Sequence, residues 1–233
     1  TLAFSIRPVK AEISEPPVTE WSKTYGGTNS EGVGALVQTA DGGYALAGQT
    51  LSYGAGGGDV WLVKTDASGN AQWNKTYGGT GEEGALALVK TGDGGYALAG
   101  LTTSFGAGSY DFWLVKTDSS GNAEWNKTYG GTGLDWPNAL VRTIDGGYAL
   151  AGCTYSYGAG DRDFWLVKTD SSGNAEWNKT YGGTGLDWPN ALVRTIDGGY
   201  ALAGCTYSYG AGDRDFWLVK TDSSGNAEWN KTY

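Results

Sequence analysis

The side chains best able to do chemistry are aromatic, acidic and arginine residues grouped in the longer segments between predicted strands. Aromatic rings beside carboxylates and guanidinium groups suit stacking on a sugar or contact with a peptide, and longer loops on a rigid scaffold often carry function. We therefore predict a binding rim. The alternative is that the rings close the packing between units and that the charges stay solvated. The predicted rim comprises Trp136, Trp188, Asp135, Asp187, Tyr155, Tyr157, Tyr207, Tyr209, Arg162 and Arg214.

Catalysis finds little support in these residues. The chain contains no histidine, which excludes a Ser-His-Asp triad, a Cys-His pair and any His-ligated metal site. A pair of carboxylates would suffice for a glycosidase, but near-identical repeats argue against an active site, which breaks symmetry. A calcium site needs several converging oxygens, and no spacing indicates one. We predict no catalytic residue, no metal and no cofactor.

Two other sets of aspartates have structural interpretations. Asp-Gly-Gly sequences are typical of tight hairpin turns, so the first set is predicted to form turns. These are Asp41, Asp93, Asp145 and Asp197. The second set opens a strand and is predicted to accept hydrogen bonds from loop amides. These are Asp59, Asp111, Asp163 and Asp215.

Cysteine and asparagine raise two questions of modification. Cys153 and Cys205 occupy the same position in two copies of a repeat, so we predict free, buried thiols. Four Asn-Lys-Thr sequences match the N-glycosylation sequon, although the same letters also suit a repeated strand. Their asparagines are Asn74, Asn126, Asn178 and Asn230.

Charge and the N-terminal segment bear on location. The formal net charge of -9 disfavours a nucleic-acid partner, which requires a basic surface. Residues 1–20 begin apolar, reach Val9-Lys10-Ala11 and continue into a polar spacer, which indicates a signal-peptide remnant and linker; an edge strand is the alternative. No segment has the ~18 apolar residues of a membrane span. We predict a secreted or cell-surface protein.

The rest of the chain is a repeat. Tryptophans recur every 52 residues, and units three and four are identical at every position. Periods of this size are typical of solenoids, propellers or arrays. The units are 21–72, 73–124, 125–176 and 177–228, with a partial fifth at 229–233.

Each unit predicts four antiparallel strands. In unit three these are 139–143, 148–154, 163–169 and 175–181, joined by short DGG and DSSGN turns and by two longer loops. The third strand, DFWLVKT, is apolar on both faces and must be covered on both. These features predict an all-β propeller of four-stranded blades; a β-solenoid is less suitable, because four long strands exceed one coil.

The number of blades poses a problem. The chain starts with an outer strand, Glu20 to Tyr25, and also ends with one, which is one strand more than four blades need, so the prediction is about four blades plus one extra strand. Three arrangements remain open: a four-bladed ring with a spare strand, part of a larger ring, or a ring completed by two chains. Open edge strands would favour self-association.

The hairpin at residues 115–131, VKTDSSGNAEWNKTYGG, resembles the tryptophan-docking motif of quinoprotein-type (PQQ-dehydrogenase-like) propellers. Asp118, Gly121 and Trp125 match that motif, and the other units repeat it. The whole unit also resembles repeats in secreted or surface-anchored prokaryotic proteins. The resemblance covers residues 21–233 and implies blade architecture in which tryptophan packs between blades. No quinone site is matched.

These observations lead to three functional hypotheses. The first is an exported, non-enzymatic scaffold for protein binding, adhesion or surface assembly, including self-association. The second is a glycan-binding, lectin-like propeller that uses the predicted rim. The third and weakest is a quinoprotein-like or glycosidase-like enzyme.

Overall fold

The computed structural model describes residues 20–233, and they contain sixteen β-strands and no helix. The strands are β1 (Glu31–Gln38), β2 (Tyr44–Thr50), β3 (Asp59–Thr65), β4 (Ala71–Tyr77), β5 (Glu83–Lys90), β6 (Tyr96–Thr102), β7 (Asp111–Thr117), β8 (Ala123–Tyr129), β9 (Asp135–Arg142), β10 (Tyr148–Thr154), β11 (Asp163–Thr169), β12 (Ala175–Tyr181), β13 (Asp187–Arg194), β14 (Tyr200–Thr206), β15 (Asp215–Thr221) and β16 (Ala227–Thr232).

The strands form four separate antiparallel sheets of four consecutive strands each. We number them blades one to four in chain order. Successive blades pack face to face through their inner strands, β1 on β5, β5 on β9 and β9 on β13. Over the described residues the sheets do not close into a ring, and the fold is a propeller-like row of four blades. The predicted all-β blade architecture and 52-residue period are confirmed.

Turn chemistry explains the short hairpins. In blade three, the Thr143 amide donates to the Gly147 carbonyl, and Gly146 has a φ of +86°. Only glycine adopts that conformation without strain. The Asp145 carboxylate accepts from the Gly147 amide, as predicted for a turn-forming aspartate.

The first strand of each unit begins earlier than predicted. In unit three it starts at Asp135 rather than Ala139. The register shifts between Ala151 and Gly152, so that Asn138 is an extra residue on the β9 side. This β-bulge lets Pro137 lie in a strand, because the ladder is interrupted there. Residues predicted as loop therefore belong to β9 and β13.

The core lies between blades. We call the side facing the following blade the back face and the side facing the preceding blade the front face. In blade three the back face is Ala149, Ala151, Phe164 and Leu166; in blade four the front face is Leu192, Tyr200, Leu202, Trp217 and Val219. Small alanines opposite large rings let the sheets approach closely. Both faces of the middle blades are buried, as the sequence of the third strand predicted.

The predicted extra strand is not formed. Residues 20–25 lie outside every sheet, because no third strand stands beside them to complete their backbone hydrogen bonds. Their side chains nevertheless contact blade one, as described below. The predicted signal-peptide remnant lies almost wholly outside the described residues. Within the part of the chain that the structure covers, no helix is long and apolar enough to cross a membrane.

Candidate functional site

The back face of blade four is bare. Phe164, on the back face of blade three, is 0% exposed, whereas Phe216, its counterpart in an identical sequence, is 70% exposed. Ala203 is also exposed, and Leu218 is only half-buried. The difference arises from the neighbour alone, since among residues 20–233 blade three is covered by blade four and blade four by no other blade. An apolar face of this kind marks an interaction surface.

Among the described residues, the front face of blade one is likewise not covered by another blade. Leu36 is 58% exposed, whereas Leu192 at the same position of blade four is 6% exposed. Val33 is exposed as well, and Leu46 and Trp61 are half-buried. Val33, Leu46 and Trp61 line an apolar hollow together with Tyr25. The row of blades therefore ends in two unlike apolar faces.

Residues 20–25, which we call the arm, partly cover this front face. Trp21 lies edge-on to Tyr44 with ring centroids 5.8 Å apart, and the Tyr25 hydroxyl donates to the Gly69 carbonyl at 2.5 Å. The same contacts recur at each internal joint, for example Trp73 on Tyr96 at 6.0 Å. The arm thus occupies the place of the outer strand of a preceding blade.

The predicted rim is divided by the structure. Asp135 and Asp187 are fully buried at the starts of β9 and β13 rather than displayed in loops. The Asp135 carboxylate accepts hydrogen bonds from Thr154, Ser156 and the Gly131 amide. The early start of these strands carries both aspartates inward, so neither faces solvent.

Six of the other rim residues lie at or near the joint between blades three and four. Arg162 lies over Tyr155 at 4.9 Å and over Trp188 at 5.7 Å, while Arg214 approaches Trp188 at 5.2 Å. Tyr207 packs beside Trp188 with ring centroids 5.8 Å apart. Trp136 lies in the same groove as Arg162 and Trp188. These cation–π contacts use the indole face that sugar stacking would need.

Two rim tyrosines connect the blades. The Tyr157 hydroxyl donates to the Gly130 carbonyl at 2.8 Å, and the Tyr209 hydroxyl donates to the Gly182 carbonyl at 2.6 Å. Each ring also packs against the tryptophan of its own third strand, Trp165 or Trp217. Both tyrosines remain exposed, but their hydroxyl groups are already bonded within the protein.

A feature that sequence reasoning missed is a pair of buried acidic groups at each joint. Oxygens of Asp111 and Asp135 both lie beside Gly130, where they would collide with an added Cβ. The second oxygen of Asp111 accepts from the Ala107 amide, as predicted, but Oδ1 has no partner. Burial raises the pKa of the Asp111 carboxyl, and the Asp135 carboxylate raises it further. Asp163 with Asp187 repeats the arrangement.

Buried lysines were also missed. Lys168, which alternation places on the same face as Phe164 and Leu166, is buried and donates to Asp145, Glu176 and the Thr169 carbonyl. Partial burial opposes ionisation of Asp145, but hydrogen bonds from Lys168 and Thr143 outweigh it and hold the Asp145 pKa at about 2. The turn aspartate therefore also neutralises a buried ammonium group.

The cysteines and the sequon asparagines differ in exposure. Cys153 and Cys205 are free and buried, which confirms that prediction. The sequon asparagines lie exposed on the outer strands, where Asn178, for example, accepts a hydrogen bond from the Trp165 indole at 3.1 Å. Over residues 20–233, no group of three or more acidic or cysteine side chains is arranged to hold a metal ion.

Comparison with known proteins adds no function. No protein-family model matches the chain, and no curated protein is significantly similar in sequence. One similar solved structure is a protein of unknown function from Bacteroides caccae, with a TM-score of 0.46, 10% identity, and coverage of 90% of this chain and 84% of that one. Another is a eukaryotic initiation factor, with a TM-score of 0.39, 8% identity, and coverage of 87% and 55%. At these TM-scores the blade assignment depends on the four sheets themselves.

Proposed function

We propose that this protein is an exported, non-enzymatic propeller-like scaffold that binds protein through the bare faces of its two end blades and so assembles at a cell surface. The observation that carries the proposal is the contrast between Phe164 and Phe216, identical residues of which only the first is covered. Removing such a face from water is the main driving force of protein association.

The resemblance to quinoprotein-type propellers enters the proposal as architecture only. Trp73 lies against Tyr96 of the next blade and beside Gly121, where an added Cβ would be 2.6 Å from the indole. In this proposal the repeated tryptophans join blade to blade, and no quinone is bound. Export is supported by the exposed sequon asparagines and by the predicted N-terminal signal remnant.

The glycan-binding hypothesis stays a prediction. The groove containing Trp136 and Trp188 offers aromatic rings and amides. However, Trp188 is already flanked by Arg162 and Arg214, and Asp135 and Asp187 are buried. The end faces therefore support a protein-binding role better than the rim supports a sugar-binding one.

Light scattering over a wide range of protein concentrations tests the assembly role. We expect the mass to rise above the 24.4 kDa of one chain, because association covers the end faces. Phe216→Glu should suppress the rise, since it places a charge on the back face of blade four. Ile196→Glu is the matched control, because Ile196 is a fully exposed apolar residue in a turn of the same blade. A wild-type mass of one chain at every concentration would overturn the proposal.

A further inference from the structure

The three internal joints follow one scheme that fits the two bare faces to each other. At the joint of blades three and four, Phe164 meets Trp217 with ring centroids 4.7 Å apart, and the alanines of β10 oppose Leu192 and Leu202. The joint of blades two and three has the same geometry, with Phe112 on Trp165 at 4.7 Å. A back face therefore has one known partner in this molecule, which is the front face of another blade.

The bare back face is identical in sequence to a back face that is already docked. Blade four carries Ala201, Ala203, Phe216 and Leu218 where blade three carries the same four residue types. The bare front face of blade one matches that of blade four at five of six positions, with Val33 in place of Pro189 as the difference. The shared five in blade one are Leu36, Tyr44, Leu46, Trp61 and Val63.

We infer that the back face of blade four docks on the front face of blade one in a second copy of this chain, and that the incoming blade displaces the arm. The inference rests on the proposed assembly function. It adds the binding partner, the head-to-tail polarity of the contact, and the arm as a cap that covers the front face of blade one before association. Contact between two different faces is head-to-tail, which distinguishes it from a symmetric contact between like faces.

Displacement of the arm follows from competition for two small sites. Trp21 fills the place beside Tyr44, and the Tyr25 hydroxyl donates a hydrogen bond to the Gly69 carbonyl. In an incoming blade four, Trp229 of β16 and Tyr233, which follows β16, stand at the corresponding positions and need the same two places. Each place holds one ring or one hydroxyl, so the arm and β16 cannot both occupy them.

The outer strand β16 has the advantage in this competition. It is held to β15 by a backbone ladder that includes the pairs Trp217 with Thr232 and Val219 with Asn230. Asn230 also accepts a hydrogen bond from the Trp217 indole, whereas the arm has Ser22 at that position. Among the described residues, the arm has no strand partner to lose. Exchange therefore conserves the Trp and Tyr contacts and additionally buries the two apolar faces.

A mixing experiment tests the polarity. Leu36→Glu blocks the front face of blade one, and Phe216→Glu blocks the back face of blade four; both positions are exposed, so we expect both variants to fold. Each variant alone should be monomeric by light scattering, and an equimolar mixture should form a one-to-one complex. If either variant alone still formed dimers, the head-to-tail polarity would be overturned while the assembly function stood. If the wild type were monomeric throughout, both proposals would fail.

Arm variants test the cap. Tyr25→Phe removes the hydrogen bond to Gly69 without removing the ring, so association should tighten by about fivefold, the equivalent of one net hydrogen bond. Trp21→Ala should tighten it further, and Thr24→Ala, an exposed position of the arm, is the control. Weaker association of Tyr25→Phe or Trp21→Ala would mean that the arm belongs to the joint, and the displacement would be overturned.

Discussion

At the scale of single residues, the joints combine apolar packing with buried acidic groups. Asp111 is buried within a region that also holds Asp135, and its Oδ1 atom has no hydrogen-bond donor. Glycine at position 130 leaves room for both carboxyl groups. Burial raises the pKa of the Asp111 carboxyl, and the nearby Asp135 carboxylate raises it further, so the joint ionisation of the two acids is opposed. The pair therefore makes the blade joint sensitive to pH.

Asp111→Asn is predicted to stabilise the chain at neutral pH. The amide oxygen can keep the bond from Ala107, and the amide nitrogen can donate towards Asp135, adding about 1 kcal/mol to the free energy of unfolding at pH 7. Urea unfolding measures this. Asp161→Asn, at an exposed loop carboxyl, should have little effect. A clear loss of stability in Asp111→Asn would contradict the account.

The sign of the pH effect follows from the raised pKa of Asp111. A carboxyl that ionises later in the folded state binds more protons than in the unfolded chain, so wild-type stability falls as pH rises from the ordinary Asp pKa through the raised one. Asp111→Asn should flatten that interval. Asp145 acts oppositely, because its lowered pKa adds stability above the ordinary value that is lost as pH falls towards about 2.

At the scale of elements, the hairpins were largely predictable and the first strands were not. Asp-Gly-Gly and Asp-Ser-Ser-Gly-Asn are turn sequences whatever surrounds them, because glycine alone tolerates the required φ without strain. In contrast, Asp135 to Asn138 contains proline and follows the glycine-rich stretch Gly130 to Leu134, and local composition indicates a loop. The bulge that admits Pro137 into β9 depends on the neighbouring strand β10.

Two glycines in positive-φ turns allow the cost of backbone strain to be measured separately from the cost of disturbed packing. An added Cβ at Gly173 would lie 2.5 Å from the indole of Trp125, whereas at Gly146 the nearest atom is 3.9 Å away. Gly146→Ala should cost about 1 kcal/mol from backbone strain alone. Gly173→Ala should cost about 1–3 kcal/mol more, because the indole must move from the blade joint. Denaturant midpoints measure both; equal losses would show that the indole at this turn contributes little.

At the scale of the whole molecule, position in the row decides what a residue contributes. Units three and four have the same sequence, yet within residues 20–233 blade three has two neighbouring blades and blade four has one. An apolar residue on a back face therefore stabilises folding in blade three and is available for association in blade four. This contrast needs no difference in residue type, only a difference in cover.

Phe164→Ala and Phe216→Ala form a matched pair for this contrast. In dilute, monomeric protein, Phe164→Ala should lower the free energy of unfolding by about 3–5 kcal/mol, as expected for a buried ring. Phe216→Ala should lower it by less than about 1 kcal/mol and should instead weaken association measured by light scattering. Equal destabilisation by both substitutions in dilute protein would mean that the back face of blade four is covered within a single chain.

The amino-acid sequence by itself determined the 52-residue period, the four strands of each unit, their short turns and the need to cover both faces of the third strand. Those features depend on local conformation and on alternation along a strand. Only the tertiary structure decided that Phe164 is covered and Phe216 is not, that Asp111 and Asp135 share a joint, and that the arm occupies the place of an outer strand without pairing. Each of these depends on which segments meet across a blade joint, and identical sequences cannot encode different neighbours.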